Sequence, residues 1–197
     1  MKNLTKSLLL IIAISTLLWS PVQAQTLEES KSALARKDYR TAFAGFNGLA
    51  ERGNADAQHV LGIMYDSGQG VAKNEQQAAA WYRKAADQGH AGAQRELGIS
   101  YANGQGVPKD EQQAVAWLKK AAEQGHALAQ SGLGVMYANG QGVPKNEQTA
   151  YFWSLLASAQ GHQNAVKLRD LLEPKLPAEQ RSATQEAANN WKPKLAK

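Results

Sequence analysis

The sequence contains no cysteine at all, so neither a disulfide framework nor a thiol-based metal site or nucleophile is available to it. Long apolar runs are missing too. The longest, SLLLIIAISTLLW (Ser7 to Trp19), is thirteen residues, too short to favour a stable membrane span. No stretch alternates apolar and polar residues as a half-buried strand would. GxSxG and HExxH are absent, and no pair of carboxylates is framed for acid–base work. A concentrated basic stripe, as nucleic acid would require, is also missing. These gaps exclude most enzyme classes and leave the surface as the place to look for function.

What is present begins with a leader. Lys2 and Lys6 precede the apolar run, and Pro21 leads into Val22-Gln23-Ala24, a small-x-small site. That layout is expected of a secretory signal peptide cleaved after Ala24, leaving no membrane anchor. With no cysteine behind the run, a lipoprotein anchor is excluded. The expected mature chain of residues 25–197 carries twenty Lys and Arg against seventeen Asp and Glu. Its net charge of about +3 is mild and dispersed. Its expected location is the periplasm, or outside the cell.

The nine residues YANGQGVPK occur at Tyr101–Lys109 and again at Tyr137–Lys145, with a looser copy, YDSGQGVAK, at Tyr65–Lys73. Gly53, Gly89, Gly125 and Gly161 mark the same period of 36 residues. Such a period signals a repeat array. Within it, Ala114, Trp117, Leu118, Ala121 and Ala122 recur at helical spacing, as do Ala78, Trp81, Tyr82, Ala85 and Ala86 one copy earlier. Ala93, Leu97 and Tyr101 step by four along the first half of the unit. Each unit is thus helix–loop–helix, with the three tryptophans Trp81, Trp117 and Trp153 expected in the core.

The repeated nonapeptide reads as a turn. Gly104 and Gly106 supply positive φ, Val107 tucks beneath, and Pro108 discourages helix continuation. Asp110 then caps the second helix with Gln113 completing a capping box, as Asn74 does with Gln77. Glu75, Glu111 and Glu147 suit the first turn of those helices, where the helix dipole favours them. His90, His126 and His162 share one repeat position and are expected to hydrogen-bond a helix end. Equivalent residues lie at least a helix diameter apart, too far to share a zinc ion. His59 is expected to stand apart from them.

The pattern resembles the Sel1-like repeat, a relative of the tetratricopeptide repeat. It is carried by AQRELGISYANGQGVPKD (Ala93 to Asp110) followed by AVAWLKKAAEQG (Ala114 to Gly125). The resemblance implies an all-α, right-handed superhelical solenoid of antiparallel helix pairs. The organisation expected is a leader (1–24), an N-terminal capping helix pair (25–52), three repeats (53–88, 89–124 and 125–160), and a C-terminal partial repeat with a capping helix (161–197). In the N-terminal cap, Thr26 and Glu29 open a helix and Lys37-Asp38 makes the turn. In the C-terminal cap, Arg169 replaces a leucine, Pro174 ends a helix, and Ala183, Ala187, Ala188 and Trp191 share one side of the last. The penicillin-binding or β-lactamase-like activity described for cysteine-rich relatives does not carry over to a chain without cysteine.

Residues invariant among the copies serve the fold, and those that vary are free for recognition. With Ala93, Leu97 and Tyr101 buried, Arg95, Ile99 and Ala102 point the other way. The resulting candidate contacts for a protein or peptide partner are His59, Asp66, Arg95, Ile99, Ser131 and Val135, on a face that the resemblance makes the concave groove. Ile63, Ile99 and Val135 would form an aliphatic ridge along it. The expectation is a non-enzymatic interaction protein, monomeric alone, with no cofactor, metal or nucleic-acid partner. A cell-wall factor acting on or binding peptidoglycan is the alternative.

Overall fold

The computed structural model describes residues 26–194, and among these every regular element is helical. Ten α-helices follow one another: α1 (Leu27–Ala35), α2 (Tyr39–Glu51), α3 (Ala55–Ser67), α4 (Glu75–Asp87), α5 (Ala91–Asn103), α6 (Glu111–Glu123), α7 (Ala127–Asn139), α8 (Glu147–Ala159), α9 (Gln163–Leu172) and α10 (Ala178–Asn190). A short 3-10 turn, Glu173–Lys175, joins the last two. Each helix up to α9 packs on the one before it, giving the expected right-handed stack of antiparallel pairs. The leader and its cleavage site lie outside the described residues, as do residues 195–197 of the tail.

The N-terminal pair forms as its residues dictate. The Thr26 hydroxyl accepts from the Glu29 amide at 3.2 Å, while the Glu29 carboxylate accepts from the Thr26 amide at 2.8 Å. Lys37 turns the chain at φ 62°, and Asp38 caps α2 through the Thr41 amide. Ala42, Phe46 and Ala50 then lie fully inside against Ala57, Leu61 and Met64 of α3.

The repeated turn is a clasp between units. Gly104 ends α5 in the left-handed conformation, and Gly106 follows at φ 69°. A Cβ on Gly106 would stand 2.0 Å from the Glu75 carbonyl oxygen, so only glycine lets this loop seat on the first turn of α4 in the preceding unit. Asp110 caps α6 through the Gln112 and Gln113 amides. The reciprocal half of the expected capping box does not form at Asp110 or Asn74. Their backbone N–H groups already donate to the Tyr101 and Tyr65 carbonyls at 2.9 and 2.8 Å, closing the loop and leaving Gln113 and Gln77 nothing to cap.

Two further features depart from the reading of the sequence. Trp117 and Trp153 are buried, but Trp81 is only half-buried, stacked under the Lys84 ammonium at 3.6 Å. On α10 the buried residue is Thr184, while Ala183 and Ala187, beside Phe152 of α8, stay exposed. The cause of the second lies one helix earlier. In the complete repeats a leucine followed by glycine brings the first helix against the second: a Cβ on Gly98 would fall 2.8 Å from Leu118 Cγ. In α9 the corresponding pair is Arg169-Asp170, joined by an ion pair at 2.7 Å. Two charged groups at that contact would be stripped of water if a second helix closed over them. Accordingly α10 packs along α8 instead of against α9.

Candidate protein-binding surface

A ladder of buried amides fixes the first helices in register. Gln58, Gln94 and Gln130 donate to the Ala50, Ala86 and Ala122 carbonyls of the preceding unit at 3.0–3.1 Å. Their own carbonyl oxygens accept from Gln88, Gln124 and Gln160 at 2.6–2.9 Å. Each rung therefore ties three successive helices and satisfies groups that would otherwise be costly to bury. The ladder escaped the sequence reading, although both glutamines recur every 36 residues.

On the opposite face of those helices the expected ridge is present, and it is longer than expected. Ile63 (39% exposed) and Val135 (41%) face solvent, and Ile99 at the same repeat position is half-buried. Leu171 in α9 continues the series at 58% exposure, and Leu128 (45%) lies two turns before Val135 on α7. Asp66 is exposed, and His59 and Arg95 are half-buried. Ser131 departs from the set. At 6% exposure it lies beneath the surface, because a hydroxymethyl group does not reach solvent where the long side chain of Arg95 does.

Polar groups flank the ridge at its N-terminal half. The His59 and His90 rings stack with centroids 4.4 Å apart, and His90 Nε2 lies 3.4 Å from Asp56 Oδ1. His59 therefore does not stand apart from the turn histidines. The two are not a whole repeat apart, so comparing equivalent positions could not bring them together. His90 and His126 do cap helices as expected, through Nδ1 to the Ala93 and Ala129 amides. His162 makes no such bond. Burial, then the neighbouring charge of His90, lowers the His59 pKa to about 4, and burial followed by Arg95 lowers that of His126. At neutral pH both rings are therefore uncharged. Arg95 pairs with Glu96, whose carboxyl burial pushes up. Among the described residues no three metal-ligating side chains converge. The strip offers neutral rings, one ion pair and aliphatic groups, a chemistry suited to holding a surface.

The Sel1 repeat family model matches residues 55–90, 91–126 and 127–162, more than half of the chain. The chain belongs to the Sel1 repeat family. It is similar to the crystal structure of a Sel1 repeat protein from Oxalobacter formigenes, at 39% identity and a TM-score of 0.66, over 69% of this chain and 54% of that one. A protective antigen of uropathogenic Escherichia coli with an SLR fold is 34% identical, with a TM-score of 0.54, over 77% of this chain and 40% of that one. The chain thus spans about half or less of those two structures. No curated protein sequence matches it. Sel1 repeats generally mediate protein–protein contact, and the fold is typically a non-catalytic scaffold.

Proposed function

We propose that the protein is an exported, non-enzymatic scaffold that binds a protein or peptide partner along the exposed face of its first helices, as an adaptor, regulator or inhibitor in the bacterial envelope. The observation that carries this reading is Leu171. In the final unit the buried leucine of the fold has become Arg169 and the contact glycine Asp170, yet the ridge position keeps its aliphatic side chain at 58% exposure. Packing does not require it there, and an aliphatic row across four helices, exposed on three of them, is what a partner's apolar surface would cover. The basic start, apolar run and small-x-small site of residues 1–24 support export.

The test is affinity capture from envelope extract with the wild-type chain and with Val135→Glu/Leu171→Glu, followed by mass spectrometry. Both sites are exposed, so melting should be nearly unchanged. The expected result is a stoichiometric protein recovered by the wild type and lost by the variant. Equal recovery by both, or retention on isolated peptidoglycan in place of a protein, would overturn the reading.

A further inference from the structure

The outer face of α8 differs from that of its counterparts. Where α4 has Arg83, Lys84 and Asp87 and α6 has Lys119, Lys120 and Glu123, α8 has Leu155, Leu156 and Ala159. Ala80 and Ala116 correspondingly become Phe152. An apolar face of this kind is built to be covered. The covering in place is α10, and it fits poorly. Only Thr184 of that helix is buried, where it accepts from the Gln148 amide at 3.2 Å; Gln185 donates to the Tyr151 hydroxyl at 3.0 Å, and the remaining residues towards α8 are alanines. A cavity of about 370 Å³, open to solvent, remains on one side, where Leu155, Leu156 and Ala188 meet the polar Arg169, Gln185 and Asn189. Another of about 260 Å³ remains on the other, lined by Phe152, Thr149, Ala183 and Ala187. Past the helix, Trp191 rests on the core, and Lys194 donates its backbone N–H to the Glu123 carbonyl at 2.8 Å and its ammonium to the Glu123 carboxylate at 3.0 Å. The segment is thus held by a few side chains at its middle and a latch at its end, and the 3-10 turn Glu173–Lys175, which contains Pro174, separates it from α9.

We propose that α10 and its tail form a displaceable strap over a second docking face on α8, and that the occupant which replaces it is an amphipathic helix of a partner protein. The seated α10 shows that a helix fits the face. The two cavities show what a better occupant carries: leucine-sized side chains where α10 has Ala183, Ala187 and Ala188. Each such residue would remove apolar surface from water that α10 leaves uncovered.

Two fluorescein-labelled peptides spanning residues 178–194, one native and one with those three alanines changed to leucine, test this by anisotropy against the full-length protein. The leucine peptide should bind at least about tenfold more tightly than the native one. In Glu123→Cys/Lys194→Cys the backbone hydrogen bond between the two sites places them within the span of a disulfide, and no other thiol competes. Oxidation should weaken the leucine peptide by at least about tenfold, and reduction of the same sample should restore it. Recovery on reduction separates locking from misfolding; should the variant not fold, the two-peptide comparison decides alone. Absence of binding to the wild type, equal affinity of both peptides, or equal binding to oxidised and reduced protein would each overturn the proposal.

Discussion

The two ends of the solenoid are closed by opposite means. At the N-terminus α1 and α2 complete a pair: a full capping box starts it, a three-residue turn reverses it, and Phe46 sits wholly inside against α3. At the C-terminus the pair is refused. Arg169 and Asp170 occupy the contact through which a second helix would pack, and α10 is turned onto the back of α8. The glutamine ladder stops at the same place, since Val166 stands where a fourth buried glutamine would be. One end is therefore stabilised by burial and the other by making further stacking unfavourable. A terminal unit needs only one of these to stay soluble.

If that contrast is right, the largest effect should come from the buried end. Phe46→Ala should cost about 3–5 kcal/mol in a urea titration, because it empties a filled site; a loss below about 1 kcal/mol would show that α1 and α2 are dispensable. Next in size is the ladder. Gln94→Ala removes two hydrogen bonds, leaving the Ala86 carbonyl with only the Gly89 amide at 3.0 Å and the Gln124 amide with only the Lys120 carbonyl at 3.5 Å, so about 2 kcal/mol should be lost. Gln160→Ala, at the last rung, faces solvent and should lose less.

A smaller effect should follow pH and fall on the N-terminal half. His59 is held neutral in the folded chain, with a pKa near 4 against about 6.5 when unfolded. The unfolded chain then binds the extra proton, so stability is full above about pH 6.5 and falls as pH drops towards 4. Partial exposure limits the loss to about 1–2 kcal/mol. His59→Phe should flatten this slope, and an unaltered slope would assign it to other groups. Smallest is the tail: Lys194→Ala should shift stability by less than about 0.5 kcal/mol, because its ion pair with Glu123 is largely exposed.

The solenoid itself was legible because it rests on residues that act locally and recur. Glycines needing positive φ, capping side chains and an apolar face at helical spacing each have one physical meaning, and 36-residue repetition multiplies the signal. The ridge was legible for the same reason, as the face left over once the core was assigned. What escaped depends on contacts that spacing does not encode. Arg169 was visible as a departure, but that it would send α10 to α8 required knowing which helix the lost leucine touches. His59 and His90 meet across neighbouring units without being equivalent. The Trp81 position promised burial, yet Trp81 is half-buried while Trp117, under an equivalent lysine, is buried, and repetition alone does not separate the two. Ser131 shows the converse: the right face with too short a side chain.

The clasp at Gly106 and the glutamine rungs join each unit only to its immediate neighbours, and every junction as far as α7 is made of the same parts. A whole 36-residue unit inserted between α6 and α7 would meet its neighbours through contacts already in use, whereas an insertion of any other length would put a side chain where the glycine must be. Array length is thereby free to change in single steps while the junction chemistry stays fixed. A growing array would add one aliphatic residue to its exposed row with every step, so the reach of the surface is counted in repeats.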